Sequence, residues 1–404
     1  MHLILPLGGL GTRLLPHTRS LPKCLIRLAG DTVLGHVLAS LASLPISRTT
    51  LIVRPDGGQV EDWLRRSLAL GGGRHRGFAP GELTFVIQAE PRGQSAALAL
   101  LGDALKGESL IVFADTLFAI DWRRAWAGND GLDGHLFVAR VADPSALGVA
   151  LLHPDGTVAG LVEKPRDFVS DLAVMGLYHL RDGAALARAV GEQLAGMRIG
   201  PTGVQAEDGR PSGAPPQGEA FLVDALSRMI AGGARFGALA IEGWEDCGDR
   251  AQLLQAHRWL LERAWESDAP PGGPDWLRDP SELARAFPDC VFLPPVAIAP
   301  DAELSGSVIG PEVAIGPGAA VAESVVGPQV LIEPGAEVEG SLLGPFVSLG
   351  AAGRCLGTRL SDCVVGLGAE LLEVAAEESL LSPGARALGG AARLDLGEEE
   401  AWDD

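Results

Sequence analysis

The stretch SVIGPEVAIGPGAAVAESVVGPQVLIEPGAEVEGSLLGP, residues 307–345, repeats itself every 17 residues. The pattern SVIGP returns as SVVGP at 324 and SLLGP at 341, and looser copies begin at 290, 362 and 379. Within each copy the aliphatic residues fall about six, five and six positions apart. Neither a helix nor a sandwich holds such a period, whereas short strands joined by tight Gly/Pro corners do. Residues 290–395 are therefore predicted to form a triangular prism of about six coils.

Aliphatic residues keep their phase across four copies of this repeat. The phased positions are Val296, Val313, Val330 and Val347, together with Ile298, Ile315, Ile332 and Leu349. A segment with this pattern resembles the hexapeptide-repeat family. The resemblance implies a left-handed parallel β-helix.

The first part of the chain alternates short apolar runs with segments of helical spacing. The apolar runs occupy residues 2–7, 49–54, 83–88 and 109–114, and the helical segments lie near 31–43, 58–70 and 94–105. This rhythm predicts a mostly parallel sheet with helices on both faces. Between 134 and 180 the apolar runs come closer together, which indicates a mixed region of the sheet.

The length of 404 residues is too great for one ordinary domain. We predict an α/β domain over residues 1–265, a linker over 266–289, the β-helix over 290–395 and an acidic tail over 396–404. The chain has no apolar stretch of the length a membrane span requires and no basic leader at its beginning. Its five cysteines form no C-x-x-C pair, so the sequence predicts a cytoplasmic protein with reduced thiols.

The charge is unevenly distributed. With 32 basic and 52 acidic residues the formal net charge is −20, which disfavours nucleic acid and anionic membranes as partners. In contrast, the first thirty residues contain four basic side chains and no acid. A basic opening on an acidic protein suggests a site for a phosphorylated ligand, although chance in a solvated loop gives the same pattern.

Glycines follow the first strand directly, in LPLGGLGTRLLPHTRSLPKCL, residues 5–25. Glycines at a strand end let backbone N–H groups approach a phosphate chain, and Arg and Lys neutralise its charge. The string resembles the opening of the nucleotidyltransferases that make nucleotide sugars, roughly G-G-x-G-T-R-L-x-P-x-T-x-x-x-P-K. With Pro6 it looks most like the bacterial UDP-glucose pyrophosphorylases.

Further segments resemble that family in the family's order. They are QAEPRG at 88–93, FADT at 113–116, LGV at 147–149 with EKP at 163–165, GLY at 176–178, Glu219 with Asp224, and WEDCG at 244–248. The resemblance implies a Rossmann-like mixed-sheet nucleotidyltransferase domain and a Mg²⁺ cofactor. It also implies roles for particular residues. The implied nucleotide-binding residues are Leu7, Gly8, Gly9, Gly11, Thr12, Gln88 and Gly93. The implied sugar-phosphate-binding residues are Gly148, Glu163, Lys164, Gly176 and Tyr178. Arg13 and Lys23 are implied to be catalytic, and Asp115 and Asp246 are implied to bind the metal.

The chemistry of such a reaction explains these residue types. A phosphate oxygen attacks the α-phosphorus in line, and pyrophosphate leaves, so the barrier is mainly repulsion between anions and their positioning. Carboxylates such as Asp115, at the end of an apolar strand, can hold Mg²⁺ against the phosphates. The forked guanidinium of Arg13 suits the leaving pyrophosphate. Gln88 offers a donor and an acceptor to the imide edge of a pyrimidine, but a buried structural amide is the alternative.

Lysine usage is an independent observation. The chain has only three lysines against 29 arginines, and Lys23 and Lys164 both lie in the motifs above. Because the sequence accepts Arg nearly everywhere, a retained Lys suggests that a compact ammonium is needed. We expect Lys23 near the nucleotide phosphates and Lys164 near the sugar phosphate.

The sequence leaves the substrates open. A pyrimidine nucleotide, UTP or dTTP, and a glucose-type 1-phosphate are favoured. A mannose-1-phosphate guanylyltransferase and a non-catalytic regulatory homologue that binds nucleotide sugars are the alternatives. Acyl transfer by the β-helix is disfavoured, because the last histidine is His257 and residues 290–404 contain no Lys or Asn. We instead expect the β-helix to assemble the chain into a homo-oligomer.

Overall fold

The computed structural model describes residues 1–70, 77–125, 131–200, 203–206, 219–266, 271–272 and 275–403. The chain forms two compact units, and each is discontinuous in sequence. Unit 1 consists of Met1–Gly9 and His36–Trp244, and unit 2 consists of Leu10–Gly35 and Glu245–Asp404. This partition cuts the chain at other places than the predicted boundary at residue 265.

Unit 1 contains a mixed sheet of nine strands. Its strands are His2–Pro6, Arg48–Val53, Glu82–Ile87, Ser109–Val112, Gly134–Arg140, Gly148–Leu152, Val158–Glu163, Leu172–Leu180 and Phe236–Ala240. The first strand lies in parallel between Arg48–Val53 and Ser109–Val112. Leu172–Leu180 runs antiparallel to Ser109–Val112, which makes the sheet mixed. The predicted α/β fold with a mixed sheet is confirmed.

The central strands of this sheet are apolar on both faces because helices cover them. Leu3, Ile4 and Leu5 are all fully buried, and Ile4 shares a core with Ile52 and Ile111 of the neighbouring strands. Such strands read as continuous aliphatic runs. The helices of the chain are Val33–Ser40, Gly58–Leu70, Gln94–Ala99, Trp122–Ala125, Gly183–Ala195, Leu222–Ala231, Arg250–Arg263 and Pro280–Ala286. Within the described ranges, none of the helices has the length and apolar character that crossing a bilayer requires.

Several shorter elements complete the chain. Short strands lie at Arg27–Leu28, Asp31–Thr32, Thr116–Ala119, Met197–Gly200, Gly203–Ala206 and Gly243–Asp246, and 3₁₀ turns lie at Thr12–Leu14, Lys23–Leu25 and Gly102–Ala104. Arg27–Leu28 and Asp31–Thr32 pair as a small antiparallel hairpin within unit 2.

The β-helix of unit 2 has three faces of parallel strands. The first face contains Val296–Ile298, Val313–Ile315, Val330–Ile332, Val347–Leu349, the end of Arg359–Val365, the end of Ala375–Leu381, and Asp395–Leu396. The second contains Glu303–Ser305, Ala320–Ala322, Glu337–Glu339, Arg354–Leu356, Glu370–Leu372, Arg386–Leu388 and Ala401–Asp403. The third contains Val291–Phe292, Val308–Ile309, Val325–Val326, Leu342–Leu343, the beginnings of Arg359–Val365 and Ala375–Leu381, and Ala391–Ala392.

The 17-residue repeat sets the register between coils. Val296 pairs with Val313, which pairs with Val330, and these side chains are buried in one continuous core. A hydroxyl ladder runs parallel to it, since Ser324 N donates to Ser307 Oγ over 3.1 Å and Ser341 N donates to Ser324 Oγ over the same distance. The predicted parallel β-helix of the left-handed, hexapeptide-repeat class is confirmed.

Both ends of the β-helix differ from the sequence-based division. Strand Ala401–Asp403, in the predicted acidic tail, pairs with Arg386–Leu388, and Trp402 packs against the core. Each face has seven strands, so the prism has seven coils where about six were predicted. At the other end, part of the predicted linker is the helix Pro280–Ala286, whose Leu283 is buried in the same core. The strand Ala401–Asp403 was not predicted, because residues 396–404 depart from the 17-residue repeat.

Candidate active site

Parallel strands of unit 1 end along one edge of the sheet and carry several predicted site residues there. Leu7 N, just past the first strand, donates to Ile52 O over 2.7 Å, and Gln88 N, past the third, donates to Val53 O over 2.7 Å. Asp115 follows the strand Ser109–Val112, which is parallel to the first. The carboxyl edge of a parallel sheet is where ligands of open α/β folds bind.

Gln88 lies over the glycines that follow the first strand. Its amide oxygen occupies the position that a Cβ on Gly8 would take, whereas the space beside Gly9 is open. Gln88 is buried, and its Nε2 donates weakly to Gly93 O over 3.5 Å. Gly93 has φ 96°, a conformation that strains other residues. The structure thus brings Gly8, Gln88 and Gly93 together.

A second group in unit 1 surrounds the end of strand Val158–Glu163. Glu163 pairs with Gly148 in the antiparallel ladder, and Lys164 N donates to Leu147 O over 3.0 Å. A Cβ on Gly148 would stand 2.9 Å from Glu163 Oε2, so the glycine leaves room for that carboxylate. The Lys164 Nζ lies 4.9 Å from the centre of the Phe221 ring, a cation–π contact.

Burial shifts the titration of this second group. It raises the pKa of the Glu163 carboxyl, with Lys164 opposing the rise and Asp224 adding to it. Burial, followed by the charges of Glu163 and Asp115, raises the pKa of the Tyr178 phenol. A phenol in this environment keeps its proton and can donate a hydrogen bond. Glu163, Tyr178 and Asp115 are therefore electrostatically coupled.

Gly176 belongs to the same region of unit 1. Its carbonyl oxygen accepts from Phe113 N over 2.9 Å, and the Phe113 ring contacts the Tyr178 ring edge to face at 6.0 Å. These contacts connect the strand that bears Tyr178 with the segment that leads to Asp115.

The loop Leu10–Gly35 of unit 2 carries the predicted basic residues. Gly11 has φ 63° and begins the 3₁₀ turn Thr12–Leu14. Thr18 Oγ1 donates to Gly11 O over 2.7 Å and closes the loop on itself. A Cβ on Gly11 would stand 3.3 Å from Lys23 Cβ, so Lys23 returns to the start of the loop. Thr12 and Arg13 are exposed on the turn.

Arg13 meets the second predicted aspartate within unit 2. A Cβ on Gly248 would stand 3.0 Å from Arg13 Nη2, 2.9 Å from Gln252 Oε1 and 3.3 Å from Asp246 Oδ1. Gln252 Nε2 also donates to Asp246 Oδ2 over 3.0 Å. Three polar side chains therefore converge over a glycine that has no side chain to exclude them.

The donor chemistry of the aspartates suits a hard cation. Mg²⁺ is commonly held by one or two carboxylates together with substrate phosphates, without a complete protein cage. Asp115 and Asp246 are each half-buried within their own unit. In the part of the chain that the structure describes, no three His, Cys, Asp or Glu side chains are grouped to hold a metal ion.

Sequence reasoning missed Phe221 and Gln252, which contact Lys164 and Asp246, and also His17, which lies in the loop between Arg13 and Lys23. Phe221 and Gln252 lie two and four residues from sequence motifs, so those motifs indicated their neighbourhood. His17 had no signal, because its partners lie more than 360 residues away in the chain.

The first part of the chain resembles known proteins. Residues 2–198 match the family model described as "Nucleotidyl transferase". This part of the chain is similar to that family. A glucose-1-phosphate thymidylyltransferase of Streptomyces antibioticus is 30% identical over 260 residues, which are 63% of this chain and 65% of that protein. A mannose-1-phosphate guanylyltransferase catalytic subunit beta of Drosophila pseudoobscura pseudoobscura is 31% identical over 176 residues, 42% of this chain and 45% of its own length.

The matched segment thus spans less than two thirds of each of these relatives. Among solved structures, a UDP-glucose pyrophosphorylase complexed with UDP-glucose aligns with a TM-score of 0.52 and 18% identity, over 65% of this chain and 98% of that one. At this identity the likeness concerns the fold. The aligned part of this chain therefore shares the fold of that structure.

Proposed function

We propose that the protein is a sugar-1-phosphate nucleotidyltransferase. It transfers a nucleotidyl group from a nucleoside triphosphate to a hexose 1-phosphate and releases pyrophosphate. The observation that carries the proposal is the grouping of Gly8, Gln88 and Gly93 at the carboxyl edge of the sheet, in the part of the chain that is similar to the nucleotidyl transferase family. The backbone at Gly9 is open to a phosphate chain, and the Gln88 amide can donate to and accept from a base edge.

In this proposal each basic residue interacts with a different phosphate group of the substrates. Arg13 stabilises the charge that develops on the departing pyrophosphate, and Lys23 neutralises the triphosphate beside Gly11. Lys164, with Gly148, Glu163, Gly176 and Tyr178 around it, binds the sugar phosphate. A protonated Tyr178 and a Glu163 of raised pKa can hydrogen-bond to sugar hydroxyls as donor and acceptor.

Mg²⁺ is the proposed cofactor, and Asp115 and Asp246 are its proposed ligands. Held by these carboxylates, Mg²⁺ would supply positive charge that offsets the negative charge of the transition state. Gln252 orients Asp246 through its hydrogen bond, and the convergence of Arg13 on the same glycine places a guanidinium next to this carboxylate.

The substrates are proposed as UTP or dTTP with glucose 1-phosphate. The similarity to a thymidylyltransferase and the donor–acceptor pair on Gln88 favour a pyrimidine. The similarity to a guanylyltransferase subunit favours GTP with mannose 1-phosphate as the second candidate. Pyrophosphate release should be measured with four nucleotides, three hexose 1-phosphates and Mg²⁺. Turnover with one pyrimidine pair is expected, turnover with GTP selects the second candidate, and binding without turnover indicates a regulatory homologue.

The third face of the β-helix is the proposed contact with a second copy of the chain. Val291, Val325 and Leu342 lie on the first, third and fourth coils and are 56, 46 and 43% exposed, and the half-buried Val308 lies between Val291 and Val325. The second face is charged, with Glu337, Arg354 and Glu370 on neighbouring coils. Two copies of the chain, each with a formal net charge of −20, repel one another least where the uncharged aliphatic strip of one copy packs against the same strip of the other. Light scattering of Val325→Asp should show a smaller particle, and an unchanged mass contradicts this contact.

We also propose a cytoplasmic location for the protein. No disulfide joins any of the five cysteines, all of which lie in the described ranges, and Cys24, Cys247, Cys355 and Cys363 are buried. Fractionation of cells that express the full chain tests this proposal.

A further inference from the structure

We infer that the last turn of the β-helix positions the loop that carries Arg13 and Lys23, with His17 as the connecting residue. This inference rests on the proposed function, in which that loop binds the nucleotide. The β-helix would then be part of the catalytic apparatus through the loop that it holds, although none of its side chains touches substrate.

His17 lies in the loop between the two basic residues and is only 2% exposed. Its Nδ1 is 2.7 Å from Ser382 Oγ, and its Nε2 is 2.6 Å from Asp395 Oδ1. Both ring nitrogens are thus engaged by the β-helix. Nε2 donates to the carboxylate, which fixes the orientation of the ring.

Asp395 also contacts Arg250, which restrains its carboxylate. Arg250 Nε lies 3.3 Å from Asp395 Oδ1, and Arg250 Nη2 donates to the carbonyl oxygens of Glu378 and Leu394. The arginine therefore ties the carboxylate to the backbone of two adjacent turns of the β-helix. A carboxylate restrained in this way is a rigid anchor for the loop.

Acidic side chains of the last turn extend the contact along the loop. Arg19 Nη1 donates to Glu400 Oε1 over 2.9 Å, and Ser20 Oγ donates to Glu398. Gly397 lies against the ring of Pro16, since a Cβ on that glycine would stand 3.1 Å from Pro16 Cβ. The segment predicted as a solvated acidic tail is thus occupied in holding the basic opening of the chain.

The loop has little regular structure of its own to fix its shape. Between Leu10 and Pro22 its ordered backbone is one 3₁₀ turn and a few turn hydrogen bonds. A displacement of about 1 Å in a group that acts on the reacting atoms can reduce a rate by roughly 100-fold. The contacts to the last turn supply the restraint that the local sequence lacks.

The test compares Asp395→Ala and the milder Ser382→Ala with a matched control, Glu337→Gln. Glu337 pairs with Arg354 over 2.9 Å on the second face of the β-helix. Its loss removes an ion pair of the β-helix that does not involve the loop. Each full-length variant is measured by hydrogen exchange of the peptides covering residues 10–21, by kcat and KM, and by thermal melting.

We expect faster exchange in the loop and a kcat lowered by about 10- to 100-fold in Asp395→Ala. KM for the sugar phosphate should change little, and Ser382→Ala should show the same pattern to a smaller extent. Glu337→Gln should match the unmodified protein in loop exchange and kcat. If Asp395→Ala and the control lower the melting temperature equally, general destabilisation does not explain a lower kcat in Asp395→Ala alone.

Three results would overturn the inference or separate it from the proposed function. Unchanged loop exchange in both Asp395→Ala and Ser382→Ala shows that the last turn does not hold the loop. Faster exchange with unchanged kcat shows that the restraint has no part in catalysis. If the unmodified protein turns over no substrate pair, the proposed function fails, and the exchange data alone decide whether the last turn holds the loop.

Discussion

Unit 1 holds its candidate residues on the ends of strands, whereas unit 2 holds them on a loop fixed by side chains. In unit 1, Glu163 faces Gly148 in a ladder, and the pKa values of Glu163 and Tyr178 are raised mainly by burial. In unit 2, the loop with Arg13 is restrained by hydrogen bonds and ion pairs to residues hundreds of positions later in sequence.

The candidate residues of the two units should therefore respond differently to substitution. Backbone ladders tolerate substitution of single side chains, since the hydrogen bonds that position the residues do not involve them. A loop held by a buried imidazole and a few carboxylates depends on each of these groups, because removal of one partner leaves the other unsatisfied. The predictions below compare matched residues from the two units.

The largest effect is expected at the aspartates, one from each unit. Asp115→Asn and Asp246→Asn should each lower Mg²⁺-dependent turnover by roughly 1,000-fold or more, because loss of a metal ligand removes several kcal/mol of transition-state stabilisation. Pyrophosphate release at a range of Mg²⁺ concentrations measures this loss. Asp103→Asn, at an exposed position of unit 1, is the control. Normal turnover in one of the two variants would confine the metal site to the other unit.

The next effect separates the basic residues of the two units. Arg13→Ala should lower kcat by about 100- to 1,000-fold, because its guanidinium stabilises charge that forms only in the transition state. Lys164→Ala should instead raise KM for the sugar phosphate, since it binds ground state and transition state alike. Steady-state kinetics on both substrates distinguishes them. The exposed Arg66→Ala serves as control, and the reverse pattern would exchange the two roles.

A smaller effect tests the packing of Gln88 over the glycine turn in unit 1. Gly8→Ala should destabilise the protein by about 1–3 kcal/mol, because its Cβ and the Gln88 amide cannot occupy the same space. Gly9→Ala has open space and should leave the free energy of unfolding nearly unchanged while weakening nucleotide binding. Urea titration and calorimetry measure the two quantities. Equal stability of both variants would show that Gln88 does not pack there.

The smallest effect concerns the pH dependence of stability through Glu163. Its raised pKa means that the folded protein binds this proton more tightly than the unfolded chain, so stability falls as pH rises from below 4.5 through the raised value. Glu163→Gln lacks this loss. Its melting temperature relative to the unmodified protein should therefore increase across that pH window. A constant difference between the two proteins from pH 4 to pH 8 would mean that burial does not govern this carboxyl.

The sequence predicted the fold best in the repeat and at the strand ends. The aliphatic residues in phase at Val296 and Val313 indicated a β-helix, because each must point inwards at the same place in its coil. The apolar run before Gly8 indicated a buried strand of the sheet. The last strand was not predicted, because Ala401–Asp403 follows no 17-residue phase and its pairing with Arg386–Leu388 is visible only in three dimensions.

Local motifs in the sequence indicated a phosphate-binding site, since they contain Gly, Lys, Gln and Asp at strand ends and in one basic loop. The sequence by itself also determined both fold types through periodicity, which is a local property. Only the tertiary structure decided that the loop with Arg13 packs with the β-helix, that Arg13 approaches Asp246 over Gly248, and that His17 joins Asp395. The physical reason is that hydrogen bonds and ion pairs between residues hundreds of positions apart leave no period in the sequence.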